Sequence, residues 1–220
     1  MDARPFVLRL FFALLTLSAR PASAAPALDF DQAFNDRGEP ARSHYVATYR
    51  LADGEHRVEV WRDRNLRLKR RTDEAIETHV ERPPGQTEWS MVVLDLKRRI
   101  RTDVDRTSLY RIGHFIDWFG LAHALARPAG PYALALLPRG AQPHITPIGA
   151  CRWYRLAQGS QTNKICWSAA QRVPFVITDG DDAVRWMLSE IDNGSLAEGT
   201  FTIDERDFVR NNASRDIAAD

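Results

Sequence analysis

One histidine–carboxylate pair in this sequence has the spacing of a catalytic base and its orienting acid. His114 and Asp117 are three residues apart in a segment with helical periodicity, so their side chains could face each other. A hydrolase also needs a nucleophile, and the Gly-x-Ser-x-Gly motif that presents an activated serine is absent. A solvated pair on a helix face is the better interpretation. We therefore predict that the protein is not an enzyme and has no catalytic residues.

Metal and cofactor chemistry finds little support in the sequence. None of the six histidines forms a His-Glu-x-x-His motif, and no two of them are four residues apart. The pairs Asp103/Asp105 and Asp181/Asp182 offer calcium-type oxygen ligands, but they lack the spacing of an EF-hand. Both pairs lie where turn or cap chemistry already favours aspartate. We predict no metal ion and no cofactor.

The two cysteines, Cys151 and Cys166, have 14 residues between them. They lie on two predicted strands that flank a turn at 158–159, and antiparallel pairing would bring them nearly opposite each other. A disulfide bond is the favoured interpretation. A reactive or metal-binding pair is the alternative, but neither a Cys-x-x-Cys motif nor an adjacent histidine supports it.

Basic residues recur on successive predicted strands or their turns and could form one positive patch. The candidates are Arg67, Lys69, Arg71, Lys97, Arg99 and Arg101. A solvated face explains such a pattern, because a one-sided antiparallel sheet exposes its polar face. The functional alternative is a contact with anionic lipid headgroups or with another envelope protein.

Composition limits the class of protein. The chain has 220 residues, of which 44% are hydrophobic, and this is enough for one domain with a substantial core. The net charge of +1 gives no support for nucleic-acid binding. Beyond residue 24 no apolar run reaches the length of a membrane-spanning helix, so we predict no transmembrane span.

Residues 1–24 have the features of a secretory signal peptide. Arg4 and Arg9 provide positive charge, residues 10–17 form a short apolar run, and the segment 22–24 (Ala-Ser-Ala) fits the signal peptidase pattern. An uncleaved anchor or a buried helix is the alternative. We predict cleavage near residue 24 and export to the periplasm, where a disulfide bond can form.

The rest of the chain has mainly the pattern of β-strands. Six segments between residues 44 and 104 alternate apolar and polar residues between turn signals such as Asp53-Gly54, which predicts an antiparallel meander. The pattern returns in the C-terminal third. We predict strands at 132–137, 151–157, 163–169, 172–179, 183–192 and 201–203, and a helical turn at 204–211. A short helix near residues 30–34 is expected in the N-terminal segment, 25–42. A single β domain then spans 43–210, and a polar tail spans 211–220.

Between residues 107 and 126 the apolar residues lie three or four apart, which predicts the one long helix of the chain. The segment 128–149 that follows holds five of the 12 prolines, so it should be a loop or an edge element.

A curved sheet with one polar face must bury its other face, either against other elements or against a ligand. The candidate lining of an apolar cavity is Tyr45, Ala47, Tyr49, Val58, Val60, Leu66 and Leu68, closed by the helix residues Ile112, Ile116 and Phe119. In the segment 89–96 both faces are apolar. Either Trp89, Met91 and Val93 or the opposite set, Val92 and Leu94, could point inward.

Several motifs resemble periplasmic lipoprotein-carrier (LolA/LolB-like) domains. They are the run Trp-Ser-Met-Val-Val-Leu-Asp-Leu-Lys-Arg-Arg-Ile-Arg-Thr-Asp at 89–103, Cys151-x-x-Tyr154, Cys166-Trp167-Ser168, Val173-Pro174-Phe175 and Phe201-x-Ile203. The likeness covers roughly residues 44–205. It implies a strongly curved antiparallel sheet that forms a half-open β-barrel, covered by one or two helices. It also implies a cavity that accepts acyl chains and a location in the periplasm of a Gram-negative bacterium, and related domains act as envelope-stress sensors.

Three functions remain as hypotheses. The first is a monomeric, non-enzymatic binding protein for a lipid, an acyl chain or a lipidated protein. The second is a protein–protein module of the envelope, with its core filled by its own side chains. The third, a hydrolase that uses His114 and Asp117, is disfavoured.

Overall fold

The structure is a computed structural model, and it describes residues 28–104 and 117–212 of the chain. The signal peptide predicted at 1–24 and the first half of the helix predicted at 107–126 lie outside the described residues, as do Ile112 and Ile116. The described part is mainly β, with two short α-helices and one 12-stranded sheet.

The first half of the sheet is the predicted six-stranded meander. Its strands are β1 (Arg42–Leu51), β2 (Gly54–Asp63), β3 (Arg67–Thr72), β4 (Ile76–Glu81), β5 (Ser90–Asp95) and β6 (Ile100–Val104). Each strand pairs antiparallel with the next along the chain. The β1–β2 turn needs Gly54, because its φ of 141° lies in a region that L-residues rarely adopt.

The second half contains β7 (Ala133–Leu136), β8 (Arg152–Gln158), β9 (Gln161–Ser168), β10 (Val173–Asp179) and β11 (Val184–Asp192). The strand interpretation of 183–192 is confirmed. The segment β7 lies at the sheet edge, as its proline-rich surroundings predict, because proline cannot donate to a central ladder. Between β7 and β8 the chain forms one 3-10 turn, Arg139–Ala141.

The sheet is open and mixed. Its order is β12-β6-β5-β4-β3-β2-β1-β11-β10-β9-β8-β7, where β12 is Val209–Asn212. The strand β12 runs parallel to β6, so the prediction of a wholly antiparallel sheet was wrong, as was the helical turn at 204–211. Residues 201–203 are described but form no strand. Local alternation could not reveal β12, because its partner lies more than 100 residues away in the sequence.

The two helices are α1 (Phe30–Ala33), as predicted, and α2 (Trp118–His123). The helix α2 begins after Asp117, whose side chain accepts a hydrogen bond from the Gly120 amide at 2.7 Å. It ends three residues before the predicted end, because Ala124 adopts a left-handed conformation with φ of 53°.

The pairing register separates the first half of the sheet into two faces. The helix-side face carries Tyr45, Val60, Leu68, Val80 and Met91, and α2 packs on it through Ala122. The opposite, charged face carries Glu59, Trp61, Lys69, Glu77 and His79. A second apolar cluster joins Phe30 of α1, Phe34 directly after it and Phe119 of α2 to Tyr154 and Trp167.

The predicted disulfide bond between Cys151 and Cys166 is present, with a Cα–Cα distance of 5.4 Å. The tip of the β8–β9 turn lies at 159–160, one residue beyond the predicted position, so Cys166 faces Trp153 and is joined diagonally to Cys151. The bond fastens the end of the proline-rich segment to the middle of β9. A Cβ added at Gly149 would lie 3.1 Å from the Phe175 ring, so this segment packs closely against the sheet.

Replacing both cysteines, as Cys151→Ala/Cys166→Ala, should lower the free energy of unfolding by about 3 kcal/mol, because the bond restricts the unfolded chain. Urea unfolding followed by tryptophan fluorescence measures this loss. A reductant should lower the stability of the wild-type protein by a similar amount and leave the double variant unchanged. Equal stability of reduced and oxidised wild-type protein would contradict a stabilising bond.

Candidate functional site

The residues predicted to line a cavity lie together on the helix-side face. Tyr45, Ala47, Val58, Val60 and Leu68 are each no more than 3% exposed. Tyr49 is half-buried on the same face, whereas Leu66 lies in the β2–β3 turn, outside either strand. A water-filled cavity would leave accessible surface on its lining, so these buried positions are filled by protein contacts.

The strand β5 settles which set of its residues points toward the helices. Met91 pairs with Val80, and Val93 pairs with Thr78, so both belong to the helix-side face. Val92 and Leu94 lie on the charged face, and Trp89 is buried just before the strand begins. Leu94 is nevertheless buried, and it lines one cleft together with Thr202 and Phe208 of the C-terminal segment.

Arg62, near the end of β2, joins the sheet to α2. Its side chain is fully buried, and Nη1 donates a hydrogen bond to the carbonyl of Ala122 at 3.2 Å. The same nitrogen lies 3.3 Å from Oε2 of Glu39, which is also 3.5 Å from Nε2 of His123. We call Arg62, Glu39 and His123 the Arg62 cluster. Within the described part of the chain, Nε and Nη2 of Arg62 and Nε2 of His123 have no hydrogen-bond partner.

Burial controls protonation in the Arg62 cluster. Desolvation, with the nearby guanidinium of Arg62, lowers the pKa of His123 to about 3, so its imidazole is neutral at pH 7. Nδ1 of this ring lies 2.6 Å from the carbonyl of Arg172 and therefore carries the proton that it donates there. Nη1 of Arg62 lies 2.8 Å from Nδ1 of His123, but a protonated Nδ1 cannot accept a hydrogen bond from it. Desolvation also raises the pKa of Glu39, although the guanidinium of Arg62 opposes the rise.

The sequence alone did not single out Arg62, Glu39 or His123 as site residues. One signal was available, because Arg62 continues the phase of Val58 and Val60 along β2 and so points toward the same face. No local pattern marks Glu39 or His123, which reach the cluster from a loop and from α2.

The charged face is organised around Glu77, which is 6% exposed. Its carboxylate contacts Nζ of Lys69 at 3.2 Å, Nη2 of Arg71 at 2.7 Å and Nε2 of His79 at 2.7 Å. Burial by itself would raise the pKa of Glu77, but the hydrogen bonds from His79 and Arg71 and the charge of Lys69 lower it to about 2. Glu77 is thus ionised at neutral pH and holds three donors in place.

The predicted basic residues occupy this face or its turns. Arg67, Lys69, Arg71 and Arg101 project from β3 and β6, while Lys97 and Arg99 are exposed in the β5–β6 turn. Four of these six basic side chains form ion pairs with acidic residues. Arg67 binds Asp63, Lys69 and Arg71 bind Glu77, and Arg101 binds Asp103 and Glu205.

Asp117 stabilises the start of α2. One carboxylate oxygen caps α2, and the other pairs with Arg127. His114 lies outside the described residues. Among the described residues, no group of three or more His, Cys, Asp or Glu side chains is arranged to hold a metal ion. Over the same part of the chain, no helix combines the length and the apolar character required to cross a membrane.

A cleft of about 450 Å³ opens beside α2 and combines aromatic and charged side chains. Its aromatic residues are Phe34, Trp89, Trp118 and Phe119, and its cationic residues are Arg37, Arg82 and Arg127. Arg82 lies over the Trp118 ring at 4.5 Å, and Arg127 lies over the Phe119 ring at 4.8 Å. Asp31, Asp36 and Asp117 also line the cleft, and Arg127 pairs with Asp31 and Asp117, so the cleft combines ring surfaces with charged groups of both signs.

Compared with known proteins, the chain matches no protein-family model and no curated protein sequence. Its function must therefore be argued from its own residues.

Proposed function

We propose that this chain is an exported, non-enzymatic binding protein of the bacterial periplasm. In this proposal the sheet forms a half-open barrel of the lipoprotein-carrier type, and it takes up an acyl chain of a lipid or a lipidated protein beneath α2. The helix acts as a lid on the apolar helix-side face. The disulfide bond supports export, because such bonds persist in oxidising compartments.

The Arg62 cluster is the observation that carries the proposal. A contact that never opens would gain most from apolar side chains, because a buried charge loses its hydration and needs every donor satisfied. Arg62 is fully buried between the sheet and α2, yet Nε and Nη2 lack partners among the described residues. When α2 moves away, water can reach these donors, which lowers the free-energy cost of opening.

An acyl chain could take the place of α2 on the sheet. The helix contributes Ala122, Leu121 and part of Trp118 to the main apolar cluster of the sheet. A ligand that makes the same apolar contacts offsets their loss, and the equilibrium then shifts toward the open state. The cleft beside α2 is the proposed entrance, because Trp118 and Phe119 of this helix line it.

The second candidate is a protein–protein module with a permanently filled core. The near-complete burial of Tyr45, Ala47 and Val58 favours it, since these residues are already packed without a ligand. The two functions differ in whether α2 opens and whether an apolar molecule is bound.

Native mass spectrometry of the protein isolated from its own cells distinguishes these candidates. The binding proposal expects a fraction of the protein to carry a co-purifying lipid or acyl-chain adduct, which is released by organic solvent. Protein that is uniformly free of adducts, and that also fails to take up an acyl-chain fluorophore, would support the filled-core module.

A further inference from the structure

A separate charged site lies at the end of β2. Asp63 is 4% exposed, and three arginines surround its carboxylate. The distances to its oxygens are 3.9 Å from Arg42, 3.4 Å from Arg64 and 2.5 Å from Arg67. Burial opposes ionisation, but the hydrogen bonds from Arg67 and Arg64 prevail and lower the pKa of Asp63. One negative charge therefore faces three permanent positive charges.

A single carboxylate cannot satisfy three guanidinium groups, each of which has five N–H donors. The side chains of Arg42 and Arg64 are 50% and 62% exposed, so much of their donor capacity faces solvent. Arg67 has a second support, since its guanidinium lies 4.6 Å from the centre of the Phe201 ring. Arg67 is thus fixed in the wall of the site, while Arg42 and Arg64 remain available to a ligand.

Two adjoining clefts lead to this group of arginines, and Arg42 and Asp63 line both of them. One has a volume of about 370 Å³ and includes Arg67, and the other has a volume of about 490 Å³ and includes Arg64. The segment 193–202 forms the opposite wall and contributes the small polar residues Gly194, Ser195, Gly199, Thr200 and Thr202. Glu198 is the other carboxylate in the lining, so the three arginines exceed the acidic residues by one.

We propose that these clefts, which we call the arginine cleft, bind a phosphate group carried by a small ester or by the headgroup of an anionic lipid. Guanidinium forks match phosphate oxygens in geometry and form short, charge-assisted hydrogen bonds with them. The size of the clefts leaves room for the group to which the phosphate is attached. This inference does not depend on a lid, because the arginine cleft lies on the charged side of β1–β3.

The test uses the purified protein and the variant Arg42→Gln/Arg64→Gln, which keeps Arg67 and Asp63 in place. Arg185→Gln is the matched control, because Arg185 is also 50% exposed and paired with an aspartate, but it lies at the start of β11. Calorimetric titration with inorganic phosphate measures the site directly. We expect saturable binding that weakens at least about fivefold in the double variant and is unchanged in the control.

A second arm identifies the source of the phosphate. Vesicles of phosphatidylglycerol and of phosphatidylcholine are sedimented with each protein. Binding of inorganic phosphate with selective sedimentation on phosphatidylglycerol supports a lipid headgroup, and binding of phosphate without sedimentation supports a soluble ester. The proposal is overturned if the wild-type protein shows no saturable phosphate binding, or if Arg185→Gln loses as much affinity as the double variant.

Discussion

Replacing Arg62 with methionine should release α2 from the sheet and strengthen ligand binding. Arg62→Met keeps an unbranched side chain but removes the hydrogen bond to the Ala122 carbonyl and leaves Glu39 without its cation. Removal of one partner from a buried ion pair costs about 3–5 kcal/mol, and here the closed state bears that cost. Amide hydrogen exchange in Trp118–His123 should accelerate. An acyl-chain fluorophore should bind at least about tenfold more tightly, because less free energy is needed to open the lid.

Two further variants give this prediction its controls. Arg57→Met lies on the same strand but is 49% exposed on the charged face, where it pairs with Glu59 at 3.6 Å. Its effect should stay below about 1 kcal/mol, as for other exposed pairs. The double variant Arg62→Met/Glu39→Met removes both buried charges, so apolar contacts should hold α2 closed and weaken fluorophore binding. If Arg62→Met instead unfolds the whole protein in one cooperative step, α2 belongs to a fixed core.

Neutralising Glu77 should destabilise the charged face strongly. Glu77→Gln preserves the shape of the side chain but leaves Lys69, Arg71 and His79 without the carboxylate that binds all three. Because the group is buried, the expected loss in the free energy of unfolding is about 3 kcal/mol at pH 7. Urea unfolding followed by tryptophan fluorescence measures it. The matched control is Glu55→Gln, since Glu55 is 57% exposed and pairs only with Arg50, and its loss should stay below about 1 kcal/mol.

The lowered pKa of Glu77 should also make the free energy of unfolding depend on pH. The folded-state pKa of Glu77, about 2, lies below the ordinary value of 4.5. Its stabilising contribution is therefore fully present above pH 4.5 and is lost as the pH falls toward 2. The variant Glu77→Gln should show a shallower loss of stability over this acidic range than the wild-type protein. Parallel stability curves for the two proteins would show that Glu77 does not carry this pH dependence.

Much of the sheet could be predicted because its determinants are local. Alternation from Tyr45 to Val60, together with the Asp53-Gly54 turn, is enough to define a hairpin and its faces. The cysteine pair was also predictable, since a hairpin brings residues close together whose separation can be read from the sequence. The strand β12 was not, because its parallel pairing with β6 depends on the path of the entire second half of the sheet.

The candidate site was only partly predictable for the same reason. The apolar residues of β1 and β2 follow from alternation, and the structure places them on one face. Arg62 shares the phase of the apolar residues of β2, but Glu39 and His123 meet it only through tertiary packing, so the Arg62 cluster could not be predicted. The opposite wall of the arginine cleft likewise could not be predicted, because the segment 193–202 reaches the end of β2 only through tertiary packing.

The most direct test of the proposed function is hydrogen exchange of the wild-type protein with and without a bound acyl-chain fluorophore. If α2 is a lid, binding should saturate and should speed exchange in Trp118–His123, while β9 at the disulfide remains protected. Absence of saturable binding, or binding that leaves exchange in Trp118–His123 unchanged, would contradict the proposal that α2 opens to admit an apolar ligand.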